Sequence, residues 1–84
     1  MDINELLHDQ IIEIVMNQVE QNDPPETKQT LQRLISEGIS EKDANKYIGQ
    51  CVAVELFNIM KNGEAFNEKR YVQNLKNLPA EPFE

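Results

Sequence analysis

Cysteine, basic residues, aromatics and long apolar runs are all scarce in this chain of 84 residues. The single cysteine, Cys51, excludes an internal disulfide and fits a reducing compartment. Eight Lys and Arg stand against fifteen Asp and Glu, for a net charge of −7. Binding to nucleic acid rests on neutralising phosphates with basic side chains, so this balance argues against it, as it does against an anionic membrane surface. No apolar run approaches the roughly 20 residues that span a bilayer. Residues 1–20 carry acids from Asp2 onward with no basic segment before an apolar one, so they do not read as a signal peptide. The expected location is the cytoplasm. There is no Trp, and with two Tyr and three Phe the core must be largely aliphatic. Strand signals are absent too: there is no sustained alternation and no Asn-Gly turn between β-branched runs.

What is present is helical punctuation. Asp2-x-x-Glu5, Asp23-x-x-Glu26 and Ser40-x-x-Asp43 each place a short acceptor at an N-cap with an acid three residues on. The spacing predicts four helices, at about 3–20, 24–37, 41–62 and 68–77. Pro24 suits a first helical position, Gly38 a C′ residue with Ile39 folding back on Leu34, and Gly63 the end of the third helix. Asn67 is the expected cap of the fourth, with Phe66 and Tyr71 placed for a hydrophobic staple. Gly49 falls inside the third helix, where it costs about 1 kcal/mol against Ala and suggests a closely packed neighbour. The fold expected is all-α: one compact antiparallel domain of about four helices over 1–78, with helices 1 and 3 at its centre and a tail at 79–84.

Two helices carry more apolar surface than a monomer usually needs. On helix 1, Met1, His8, Ile12, Val15, Met16 and Val19 share one face, and Ile3, Leu7, Ile11 and Ile14 form a second strip. On helix 3, Ile48, Val52, Leu56 and Ile59 line one face, flanked by Ala44, Cys51 and Met60, while Tyr47, Val54 and Phe57 lie apart from them. Leu31, Leu34 and Ile35 make a narrow stripe on helix 2, and Tyr71, Leu75 and Leu78 the inner face of helix 4. The surplus residues Ile3, Leu7, Ile11, Ile14, Tyr47, Val54 and Phe57 predict an interface, most simply a two-fold homodimer.

Little else resembles chemistry. His8 is the one histidine, and Glu55 stands on an otherwise apolar face of helix 3. A buried carboxylate needs a partner. If helices 1 and 3 pack together, His8 and Glu55 could meet as an acid/base pair or part of a metal site, with Cys51 as a thiolate nucleophile. The structural alternative is a buried pair that fixes register, or two boundary side chains that reach solvent separately, with Cys51 as apolar filler. Metal-ligand spacings such as H-E-x-x-H or paired cysteines are absent, and no Gly-rich loop suits a phosphate. No catalytic residue, metal or cofactor is therefore expected. Asp2, Asp9, Glu13 and Glu20 form an acidic flank on helix 1, and residues 2–21 contain no Lys or Arg. That flank is either a solvated face or a dock for a basic partner protein, or for Lys69, Arg70 and Lys76 within a dimer.

The stretch Asn17-Gln18, Asp23-Pro24-Pro25-Glu26, Thr30-Leu31-x-Arg33-Leu34, Glu37-Gly38 and Ala44-x-x-x-Ile48-Gly49 resembles an uncharacterised family of small bacterial domains of unknown function. The family pattern runs as a His in the first helix, then NQ, DPPE, TLxRL, EG and HEAxHxIG. The resemblance covers about residues 8–49 and extends more loosely to 78. It implies no activity. The two His of HEAxHxIG fall on Lys42 and Lys46, so of a three-histidine cluster only His8 remains. Protonated lysines do not ligate a metal. The function expected is a small non-catalytic interaction or structural module that self-associates. The rival is a small enzyme or degenerate metal-dependent domain centred on His8, Glu55 and Cys51.

Overall fold

A computed structural model describes the backbone of residues 3–81 and the side chains of residues 8–81. Its regular elements are four helices, α1 (Ile3–Gln21), α2 (Pro25–Ser36), α3 (Glu41–Asn62) and α4 (Glu68–Asn77). The cap at Asp2-x-x-Glu5 and the side chains of Met1, Ile3 and Leu7 lie outside the described residues.

Local chemistry sets most boundaries. The Ser40 hydroxyl accepts the Asp43 amide at 3.1 Å, and Asn67 Oδ1 accepts the Arg70 amide at 3.0 Å. The Phe66 and Tyr71 rings meet edge to face with centroids 5.3 Å apart, so the staple forms. At the end of α2, Gly38 has a φ of 95°. Its amide reaches the Ile35 carbonyl, and the Ile39 amide reaches that of Leu34, both at 3.0 Å. This pair of bonds is a Schellman closure. Gly63 ends α3 with a φ of 66° and an amide bonded to the Ile59 carbonyl.

The start of α2 departs from expectation. Asp23 is not its cap: α2 begins at Pro25 after Pro24, with no side-chain cap bond. The reason is the end of α1. Asn22 takes a positive φ of 53°, its amide bonds the Val19 carbonyl, and the Asp23 amide bonds that of Gln18. Asp23 thus belongs to the closure of α1, and the chain must advance before α2 can begin.

α2 and α3 each pack against the other three helices, whereas α1 and α4 each pack on α2 and α3. The centre is therefore α2 with α3, rather than α1 with α3. Met16, Glu20, Glu41 and Asn45 share one groove, and His8, Ile12, Lys46 and Ala53 another, so α1 and α3 run antiparallel. Gly49 lies against Ile11 and Ile12 of α1. A methyl group there would meet Ile11 Cγ2 at 3.0 Å, which explains a glycine inside a helix.

Val15, Leu34, Ala44, Ile48, Cys51, Val52, Tyr71, Leu75 and Leu78 form the buried core. Ile11, Ile14 and Tyr47 pack against it, so these three are not surplus interface residues. On α1 the inward line runs through Ile11, Val15 and Val19, between the two apolar strips. Its edges turn outward, and Met16 is 59% exposed. Met60 and Ile35 also lie outside the core, at 77% and 44% exposed. α2 instead buries Thr27, Thr30 and Leu34, one line at steps of three and four. A buried line of this kind requires the threonine hydroxyls to find partners.

Candidate functional site

The partners of Thr27 make the first of two buried polar clusters. Tyr71 is fully buried, and its hydroxyl donates to Gln18 Oε1 at 2.6 Å. Thr27 Oγ1 donates to the same oxygen at 2.8 Å and lies 3.1 Å from the Tyr71 hydroxyl. The cluster ties α1, α2 and α4 together. Burial raises the Tyr71 hydroxyl above its ordinary pKa, against a smaller lowering by Thr27. It is a neutral knot that holds three helices in register.

The second cluster surrounds Glu55, whose side chain is wholly buried. Arg70 grips it with two bonds, Nε to Oε2 at 2.6 Å and Nη2 to Oε1 at 2.9 Å. The Asn67 amide donates to Oε1 at 2.8 Å. Glu64 Oε2 lies 3.9 Å from Arg70 Nη2. The hydrogen bond to Glu55 raises the Arg70 pKa, desolvation opposes it, and the two carboxylates add to the rise. One side chain thus fixes both the cap residue and the first turn of α4 from within α3. With three donors satisfied, the carboxylate is committed to holding α4.

His8, Glu55 and Cys51 therefore do not form one site. Exposed His8 lines a groove of about 290 Å³ between α1 and α3, beside Ile11, Ile12, Lys46, Gln50 and Ala53. Ala53 faces this groove, and Glu55 follows it by two residues, roughly 200° around the helix. Glu55 consequently faces α4, away from His8. Cys51 is buried in the core. Burial pushes its thiol up to about 12, against a smaller lowering by its own backbone amide. The thiol donates to the Tyr47 carbonyl at 3.8 Å, a bond that only the protonated form can make. A thiol so placed stays protonated and unreactive. Lys46 shares the His8 groove, and Lys42 is exposed. Among the described residues no three His, Cys, Asp or Glu gather as a metal site, and no helix is long and apolar enough to cross a membrane.

Cys51 gives a direct check. Native protein should react with a thiol reagent far more slowly than the urea-unfolded chain at the same pH. Equal rates would mean that Cys51 is accessible. Because its folded pKa is raised, its contribution to stability is fully present below about 9 and is lost as pH rises toward about 12. Cys51→Ala should lessen this alkaline loss.

Sequence reasoning found Glu55 as a buried acid but assigned it the wrong partner. Arg70 was grouped with the outer lysines, although it directly precedes the inward Tyr71. The knot of Gln18, Thr27 and Tyr71 was missed altogether. Its one sequence sign is Thr27, Thr30 and Leu34 at helical spacing. Compared with protein-family models, with curated proteins and with solved structures, the chain matches none.

Proposed function

We propose that this chain is a small non-catalytic interaction module that associates with itself. The observation that carries the reading is an exposed strip on α3. Phe57 and Met60 are 47% and 77% exposed, and half-buried Val54 and Ala53 adjoin them. Lys46, Gln50, Ala53, Phe57 and Met60 follow one another at steps of three and four, so they share one face. The His8 groove opens along the same line. Lys61 Nζ lies 5.2 Å above the Phe57 ring and shields part of it from water.

A strip of this length can meet its own copy across a two-fold axis. Each large apolar side chain that becomes fully buried contributes roughly 1.5–3 kcal/mol, so Phe57, Met60 and their copies offset part of the association cost. Of the seven interface residues named from the sequence, Val54 and Phe57 remain in this reading. Ile3 and Leu7 lie outside the described side chains. The rival, an enzyme or degenerate metal-dependent domain on His8, Glu55 and Cys51, has no convergence of those groups behind it. A reducing, cytoplasmic setting belongs to the same proposal, on the strength of the lone buried thiol.

Phe57→Glu tests the reading. In about 1 M salt, charged contacts are screened beyond roughly 3 Å, and the apolar contact persists. There the variant should sediment as a chain of 9.7 kDa while the parent protein is heavier. Equal masses for the two would remove α3 as the contact.

A further inference from the structure

A second surface is complementary in charge and spacing to another face of this chain. Glu26, Glu68, Lys69, Val72, Gln73 and Lys76 line a groove of about 540 Å³ between α2 and α4. Lys69, Val72 and Lys76 stand at i, i+3 and i+7, a basic–apolar–basic line along the groove. On α1, Glu13, Met16 and Glu20 stand at the same spacing and are all exposed, an acidic–apolar–acidic line. Seven helical residues span about 10.5 Å, so the charged ends of both lines are equally far apart. In either direction, two carboxylates fall over two ammonium groups; with the helices parallel Met16 lies on Val72, and with them antiparallel it lies one residue, about 1.5 Å, along from it. Among the described residues none of these four charged groups has an ion-pair partner within the chain.

We infer that the groove between α2 and α4 receives helix α1 of a second copy of this chain. The occupant follows from charge and spacing together. Residues 2–21 contain no Lys or Arg, and Lys69 and Lys76 are a local basic pair in a chain of net charge −7. Glu26 and Glu68 on the same groove repel an acidic guest, and the exposed amides of Asn17 and Gln21 are the donors α1 offers them. The charged pairs therefore set orientation and salt dependence, while Met16 against Val72 supplies apolar contact. This contact is separate from the α3 strip and does not rest on it.

The test uses the full chain in the Phe57→Glu background, which removes the α3 contact. Glu13→Lys/Glu20→Lys and Lys69→Glu/Lys76→Glu change only exposed positions, and circular dichroism verifies the fold of each. At low ionic strength the background protein should sediment above 9.7 kDa and fall toward it as salt is added. Each charge-reversed variant alone should sediment as a single chain. An equimolar mixture of the two should regain the higher mass, because reversed α1 then meets a reversed groove. A background protein already at 9.7 kDa in low salt overturns the inference and leaves the α3 reading untouched. Charge-reversed variants as heavy as the background protein, or a mixture that stays at single-chain mass, also overturn it.

Discussion

Arg70→Met should destabilise the protein more than Glu55→Gln, and the double variant Glu55→Met/Arg70→Met should regain much of the loss. Glu55 is fully buried, and Arg70 retains some access to solvent. Removing Arg70 leaves the Glu55 carboxylate inside with only the Asn67 amide. An uncompensated buried charge of this kind costs about 3–5 kcal/mol. A domain of this length has about 4–13 kcal/mol in total, at roughly 0.05–0.15 kcal/mol per residue. Glu55→Gln keeps an acceptor for Asn67, and Arg70 can turn outward, so its effect is smaller. Replacing both partners with apolar groups removes the charge along with its desolvation. Urea titrations of the parent and the three variants, with Glu55→Met added to close the double-mutant cycle, measure the coupling. Equal losses in the two single variants, with no recovery in the double, would show that the pair does not act as described.

Tyr71→Ala should bring a loss of similar size, about 3–5 kcal/mol, and Tyr71→Phe only about 0.5–1.5 kcal/mol. Among the described residues Tyr71 is the largest fully buried side chain, at the junction of α4 with α2 and α1. Its ring fills the core, and its hydroxyl closes the knot with Gln18 and Thr27. Phenylalanine keeps the ring and leaves the Thr27–Gln18 bond in place. Each kcal/mol lowers the midpoint of a domain this size by about 4–8 °C, so thermal melts separate the two variants. A Phe variant as unstable as the Ala variant would place the stability in the hydroxyl network rather than the ring.

The fold was legible where the signal is local. Gly38, Gly63, Ser40, Asn67 and the Phe66–Tyr71 staple act over a few residues, and each forms as its spacing implies. Asp23 misled because two helix ends compete for one short link, and Asn22 gives it to α1. The faces of α1 were ambiguous for a different reason. Apolar residues occupy two strips, periodicity cannot choose between them, and packing selects a line between both. The polar clusters were the least legible. Gln18 meets Tyr71 across 53 positions and Glu55 meets Arg70 across 15, and nothing local marks such pairs.

Sedimentation equilibrium of the unmodified protein across micromolar concentrations in about 1 M salt, where only apolar contacts persist, tests self-association most directly. The account predicts a mass above 9.7 kDa that rises with concentration toward twice that value. A single species at 9.7 kDa, unchanged on concentration, would contradict it.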